Sequence, residues 1–293
     1  MNHTLQIWHS KWGAFKALAA ALALMPLAML LGHSGAVQAQ PVAVFTHEVD
    51  VLDEFLDRFN NRDSLMFQAY SNSKNKSFSE SRSFLIRSLF DFTSKNWKGD
   101  DVKTFIKKVN EDATPQYLDF ADKDWYAELV CSMTYKGKPE KLSLILQFEE
   151  LPSGVSQWLI VGVKAPWLAA YTDTSSKIPM YVDPKKGLNP SSHGNDFISV
   201  YRAFDDMPNI RSYMRKDALP QDLQKLLRGF VKKQTTLVQV DRVTYHFMQV
   251  DGWLFTVKNF PHRKTNAGWL ISELLPADAA IKKQYKAKIL NLN

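Results

Sequence analysis

Trp125-Tyr126-Ala127-Glu128-Leu129-Val130-Cys131-Ser132-Met133-Thr134-Tyr135 alternates along its length. Ala127, Leu129, Cys131, Met133 and Tyr135 fall on one side, and Glu128, Ser132 and Thr134 on the other. Successive strand side chains point to opposite faces, so the stretch reads as a strand with one buried and one wetter face. Leu142, Leu144, Leu146 and Phe148 against Lys141, Ser143, Gln147 and Glu149 repeat the pattern. Between them Lys136-Gly137-Lys138-Pro139 is turn chemistry, and Trp158-Leu159-Ile160 opens a third strand. The three-strand stretch, residues 125–164, recurs over residues 237–275, where Trp269-Leu270-Ile271 opens the third strand. Tyr135 and Tyr245 precede those tryptophans by 23 and 24 residues. In the second copy Asp251-Gly252 favours the positive φ angles of a tight hairpin turn.

Helical spacing precedes each meander. Leu52, Phe55, Leu56 and Phe59 follow the i, i+3, i+4, i+7 rule of one buried face, which predicts a helix over residues 48–61. Residues 71–83 are rich in Ser, Asn, Lys and Glu and read as an exposed loop, with a second helix over residues 82–93. Val102, Phe105, Ile106 and Val109 give a third, capped by Asp100 or Asp101. Residues 166–190 carry Pro166, Pro179, Pro184, Gly187 and Pro190 and read as a linker with at most one short strand near Tyr181. Helical spacing then returns at Phe197, Val200, Tyr201 and Phe204, and after Pro220 at Leu223, Leu226, Leu227 and Phe230. A last helix from about Ala277 places Ile281, Tyr285 and Ile289 on one side among lysines, a face that suits packing on the domain.

The order is helix, helix, meander, twice. Parallel strands need crossover helices between them. Here helices come first and strands cluster, which argues α+β with antiparallel sheets. The expected organisation is residues 1–39 as signal peptide, 40–170 as one module, 171–190 as linker and 191–293 as a second module. In element order the two modules resemble the NTF2-like, cone-shaped α+β folds and, more loosely, the cystatin-like ones. The resemblance implies curved antiparallel sheets. It transfers no functional residue, since folds of this group host enzymes, binding modules and inactive scaffolds.

The N-terminus reads as a targeting segment. Lys11 and Lys16 precede an apolar run from Ala17 to Leu31, followed by Val37-Gln38-Ala39 with small residues at −3 and −1. A run of 15 residues containing Pro26 is short for a spanning helix, so membrane contact is not expected after cleavage. No cysteine stands at the cleavage site, so no lipid anchor is expected. Removing residues 1–39 takes away two lysines and no acids. The charges that remain are interspersed, which argues against a nucleic-acid groove. Cys131 is the sole cysteine. It cannot form an intrachain disulfide, and its apolar strand face points to a packed thiol rather than a nucleophile.

No Gly-x-Ser-x-Gly, His-Glu-x-x-His, Cys-x-x-Cys or P-loop is present. His47, His193, His246 and His262 are scattered, so neither a metal nor a cofactor is expected and no catalytic residue is assigned. His193-Gly194-Asn195-Asp196 stands where a helix starts. It fits a backbone anion site and also the commoner capping loop, with Ser192 or Asn195 as N-cap. On the strand 241–246, alternation puts Arg242, Thr244 and His246 on one face and Asp241 on the other, either lining a pocket or forming the sheet's wet face. Trp158, Trp253 and Trp269 can stack on a ligand, although core packing is the commoner role. The candidate ligand-binding residues are therefore His193, Asn195, Arg242, Thr244, His246 and Trp269.

The expected function is an exported, periplasmic or extracellular, non-enzymatic module that binds a small molecule or an envelope protein. Alternatives are an exported hydrolase or isomerase using His246 or His193 as acid/base, and a structural part of an envelope assembly. The exported protein should begin at Gln40, and its intact mass checks this. A mass retaining residues 1–39 would mean an anchor instead.

Overall fold

The computed structural model describes residues 49–62, 78–93, 97–111, 113–151, 154–261 and 267–292. Residues 1–39, expected as a signal segment, and Gln40, His47 and His262 lie outside the described residues. The helices are α1 (Leu52–Phe59), α2 (Phe78–Ser88), α3 (Gly99–Val109), α4 (Val200–Asp205), α5 (Gln221–Val231) and α6 (Ala279–Lys288). The strands are β1 (Trp125–Tyr135), β2 (Lys138–Glu150), β3 (Ser156–Lys164), β4 (Thr235–Phe247), β5 (Trp253–Phe260) and β6 (Gly268–Pro276). The fold is α+β, with one open, curved, antiparallel sheet of order β3-β2-β1-β4-β5-β6.

The repeated meanders are thus halves of one sheet. β1 and β4 pair antiparallel along the whole of β1, from Trp125↔Phe247 to Tyr135↔Thr235. Each meander runs outward from that seam, so the Trp-Leu-Ile triplets fall on the two edge strands. An edge strand exposes unpaired N–H and C=O groups unless something covers it. Trp158 N donates to Leu188 O at 3.1 Å and Trp269 N donates to Val49 O at 2.9 Å. Two residues further on, Ile160 bridges Met214 and Ile271 bridges Phe90. The recurring triplet marks the same job at both edges. Its tryptophan and isoleucine point into the core while the backbone between them takes up a covering segment. Gly268 is required for one of these covers: its φ is +87°, and a Cβ there would lie 2.2 Å from Val49 O.

The helices pack crosswise to their order in the chain. α1 and α3 precede the first meander, yet they rest on the second. Phe55 stacks on Phe247 at 6.0 Å, Phe59 on Phe255 at 6.0 Å, and Phe105 meets Trp253 edge-on at 5.6 Å. The helical segments after the first meander cover β3, where Phe197 meets Trp158 edge-on at 5.0 Å, and α4 and α5 also reach β4. Residues 43–293 form one compact unit. Packing therefore crosses the expected boundary at residues 171–190. That segment has no strand at Tyr181, and Leu188 closes the β3 edge.

Three further expectations shift. The loop expected over residues 71–83 gives way to α2 from Phe78, and Arg82 is buried in it. Its guanidinium donates to the carbonyls of Phe59 at 3.1 Å, Val109 at 2.9 Å and Gln116. Phe59 and Val109 end α1 and α3, so one side chain satisfies orphan carbonyls of two helices. Burial lowers the Arg82 pKa to about 10, and the long, fixed fork keeps it protonated all the same. The helix expected from Phe197 begins at Val200 instead, because Asp196 and Phe197 adopt left-handed φ values of 52° and 57°. In β4, Asp241 does not face away from Arg242. A bulge at this point lets it accept from Ser132 Oγ at 2.7 Å and Lys141 Nζ at 2.8 Å.

Trp158 and Trp269 are 0% and 2% exposed. Truncating a buried Trp to Ala typically costs ~3–5 kcal/mol. Trp158→Ala and Trp269→Ala should each lose that much in urea unfolding, in one transition followed alike by fluorescence and circular dichroism. Two separated transitions would show that the halves fold independently.

Candidate functional site

The sheet has two covered faces. The large core lies on the face carrying Trp125, Leu129 and Tyr245. The other face packs Tyr126, Ile145, Leu159, Val161, Met248 and Leu254 beneath α6, with Tyr285 and Leu292 against them. Asp278 caps α6 by accepting from Ile281 N at 2.8 Å, and Lys282 donates to the carbonyls of Met248 and Val250 at 2.8 and 2.7 Å. The basic helix is thus docked through its tyrosine and its lysines, while Ile281 and Ile289 remain exposed.

His246 lies under this helix. Its Nε2 is 3.2 Å from Glu128 and its Nδ1 is 2.9 Å from Tyr285 Oη. With Nε2–H donating to the carboxylate, Nδ1 of a neutral ring accepts the tyrosine proton, and all three side chains are satisfied. Lys164 completes the network, 2.6 Å from Glu128. Burial pushes the Glu128 carboxyl up, but hydrogen bonds from His246 and Lys164 outweigh it and pull the group down to about 2. Burial drives the Tyr285 hydroxyl the other way, upward. The network joins β3, β1, β4 and α6 around the buried His246, with Glu128 and Lys164 partly exposed. Thr244 is buried on the same face, opposite Glu128 in register. The face expected to be wet or pocket-lining is therefore a clamp for the C-terminal helix at these positions.

His193 is equally engaged. It sits in a 3-10 turn, Pro190–Asn195, whose N-cap is Asn189 rather than Ser192 or Asn195. Nδ1 is 2.9 Å from Pro190 O, and Nε2 is 3.2 Å from both oxygens of Asp53. The ring packs on Phe120 at 4.8 Å. The imidazole ties α1 to the β3 edge and leaves neither nitrogen free. Cys131 is buried, and burial pushes its thiol up to about 12, as a packed thiol requires.

One place does bring candidate residues together at an opening. β1 pairs with β2 over residues 127–135, but β4 pairs with β5 only over residues 244–247. Among the described residues, the first half of β4 has no paired strand on that side. The fork forms a cleft of about 210 Å³ lined by Asp196, Val240, Asp241, Arg242, Val243, Asn259, Pro261 and Trp269. Because the strands separate there, residues from both faces of β4 reach it. Trp269 forms the buried floor, with its ring 4.9 Å from that of Tyr245. Asn195 adjoins the cleft through Asp196. Thus Arg242 and Trp269 meet, Asn195 is adjacent, and His193, Thr244 and His246 belong elsewhere.

Asp196, Asn259 and Tyr245 were not candidates in the sequence. Desolvation raises the Asp196 carboxyl above its ordinary value. The Tyr245 hydroxyl is buried without a hydrogen-bond partner. Burial raises it well above its usual value, with the charges of Asp196 and Asp53 adding to the effect. A left-handed conformation at two successive non-glycine residues, Asp196 and Phe197, is rare and costs free energy. A signal was available for Asp196 alone, in the Gly194-Asn195-Asp196 turn sequence. A wider basic concavity lies between α2 and α3, lined by Arg87, Lys103, Lys107 and Lys108, but Lys103 and Lys108 already pair with Asp100 and Glu111. Among the described residues no group of three His, Cys, Asp or Glu could hold a metal ion, and no helix is long and apolar enough to cross a membrane. Comparison with protein-family models, with curated proteins and with solved structures finds no match to this chain.

The Glu128 network has a pH signature. Its carboxyl is depressed from 4.5 to about 2, so the stability it contributes is fully present above pH 4.5 and is lost as pH falls toward 2. Glu128→Gln should remove this component. The gap in urea midpoint between wild type and variant should be widest near neutrality and shrink steadily on acidification. A gap independent of pH would show that the carboxylate charge does not hold the clamp.

Proposed function

We propose that this is an exported, non-enzymatic binding protein whose ligand site is the cleft at the β4–β5 fork. In this reading it is built from two helix-helix-meander units of the NTF2-like, cystatin-like kind. The units are fused through their first strands, with their helices exchanged. Export rests on the N-terminal sequence pattern, and cleavage before Gln40 places the protein in the periplasm or outside the cell.

The observation that carries the reading is the break in the repeat. The meanders match in strand order, edge cover and core tryptophan, and they differ in the length of β5. That difference opens a cleft with exposed Asp241 and Arg242 on its wall and an indole at its floor. Ligand sites combine an apolar wall with a few placed polar groups, and this cleft has both. An acid–base role for His193 or His246 finds no support in their positions, since both rings are engaged in packing networks closed by other side chains.

Ligand-observed NMR of the purified protein with a library of small polar compounds tests the proposal. Saturable binders should be found whose signals disappear with Arg242→Ala, an exposed change that leaves the unfolding free energy within ~0.5 kcal/mol of wild type. A library with no binder sensitive to Arg242→Ala would overturn the assignment of the cleft.

A further inference from the structure

The cleft holds opposite charges that do not meet. Among the described residues, neither the Arg242 guanidinium, the Asp196 carboxyl nor the Asn259 amide has a side-chain partner. Asp241, on the same wall, is already satisfied by Lys141, Ser132 and Gln239. One free cation and one free anion therefore line a single cleft without forming an ion pair. The same cleft is lined by a carboxamide with two donors and an acceptor, Asn259, and by the indole of Trp269.

Each charge asks for a different complement. A guanidinium recognises a carboxylate through parallel N–H donors, a pairing stronger than a neutral hydrogen bond. An unpaired carboxylate is compensated by a cation that donates hydrogen bonds, such as an ammonium. About 210 Å³ falls below the roughly 300–1,000 Å³ of sites for drug-sized ligands, so the occupant is small. Resting on the assignment of the cleft above, we infer that its ligand is a small zwitterion of the free amino acid class. Its carboxylate lies on Arg242, its ammonium on Asp196, and its side chain faces the indole of Trp269.

The position of Asp196 supports this independently of size. It is exposed at the cleft, and among the described residues no cation pairs with its carboxyl. The left-handed backbone at residues 196 and 197 turns the chain so that Asp196 lines the fork.

L-alanine, N-acetyl-L-alanine, L-alaninamide, acetate and methylammonium are the probes. Each is titrated into the ¹⁵N-labelled protein while the Asn259 side-chain amide is followed. L-alanine should shift that resonance saturably. N-acetyl-L-alanine, lacking the ammonium, and L-alaninamide, lacking the carboxylate, should bind about tenfold more weakly or not at all. Acetate and methylammonium should be weaker still. Asp196→Asn, which keeps a residue tolerant of left-handed φ, and Arg242→Ala should each weaken L-alanine by about tenfold. The inference is overturned if L-alanine gives no saturable shift, if the blocked derivatives bind as well as L-alanine, or if both variants bind normally. Other small compounds that bind at the fork while L-alanine does not would refute the zwitterion and leave the cleft standing. Silence from every compound would remove both.

Discussion

The pairing of β1 with β4 is the constraint on which everything else depends. It joins the inner strands of two meanders that would otherwise each present an open edge at the middle of the molecule. Antiparallel pairing at this seam places β3 and β6 at opposite ends. It turns both core tryptophans to the same face and sets Trp125 on Phe247 with rings 5.3 Å apart and nearly parallel. The helices then have one continuous apolar surface to cover. That surface extends across the chain's halves, which is why α1 and α3 come to rest on the strands furthest from them in sequence.

Charged groups inside this fold are used as fasteners. Arg82 closes the ends of two helices, and Glu128 with Lys164, His246 and Tyr285 fastens the C-terminal helix to the back of the sheet. A buried charge is tolerated only when its hydrogen-bonding capacity is filled, and at these positions it is. The fork is different. Arg242 and Asp196 share a cleft without a partner, and a buried tyrosine hydroxyl nearby is unsatisfied. Both charged groups line the cleft where β5 is shorter than its counterpart β2.

Reading a sequence for function by residue type alone put histidines first. Both described histidines are hydrogen-bonded by partners distant in sequence, Asp53 for His193 and Glu128 and Tyr285 for His246, 140, 118 and 39 residues away. The distant acid decides whether an imidazole is free or engaged, and no local pattern reveals it. Arg242 and Trp269 were legible as candidates from strand alternation and from the repeated triplet. Asn259 and Asp196 carry no such mark.

The sequence by itself determined the elements. Period-2 alternation, turn chemistry and the repeated Trp-Leu-Ile triplet place the six strands, Cys131 reads as a packed thiol from its strand face, and helical spacing places α1, α3 and α5 to within a turn or so, because these signals are local. Tertiary structure alone decided that the meanders share one sheet, that α1 and α3 rest on the second meander, that a bulge turns Asp241 toward Lys141, and that α2 begins around a buried arginine. Each of these turns on which surfaces meet. Strand pairing partners, edge covers and the burial of a charge are chosen by contacts between residues far apart in the chain, where alternation and spacing carry no information.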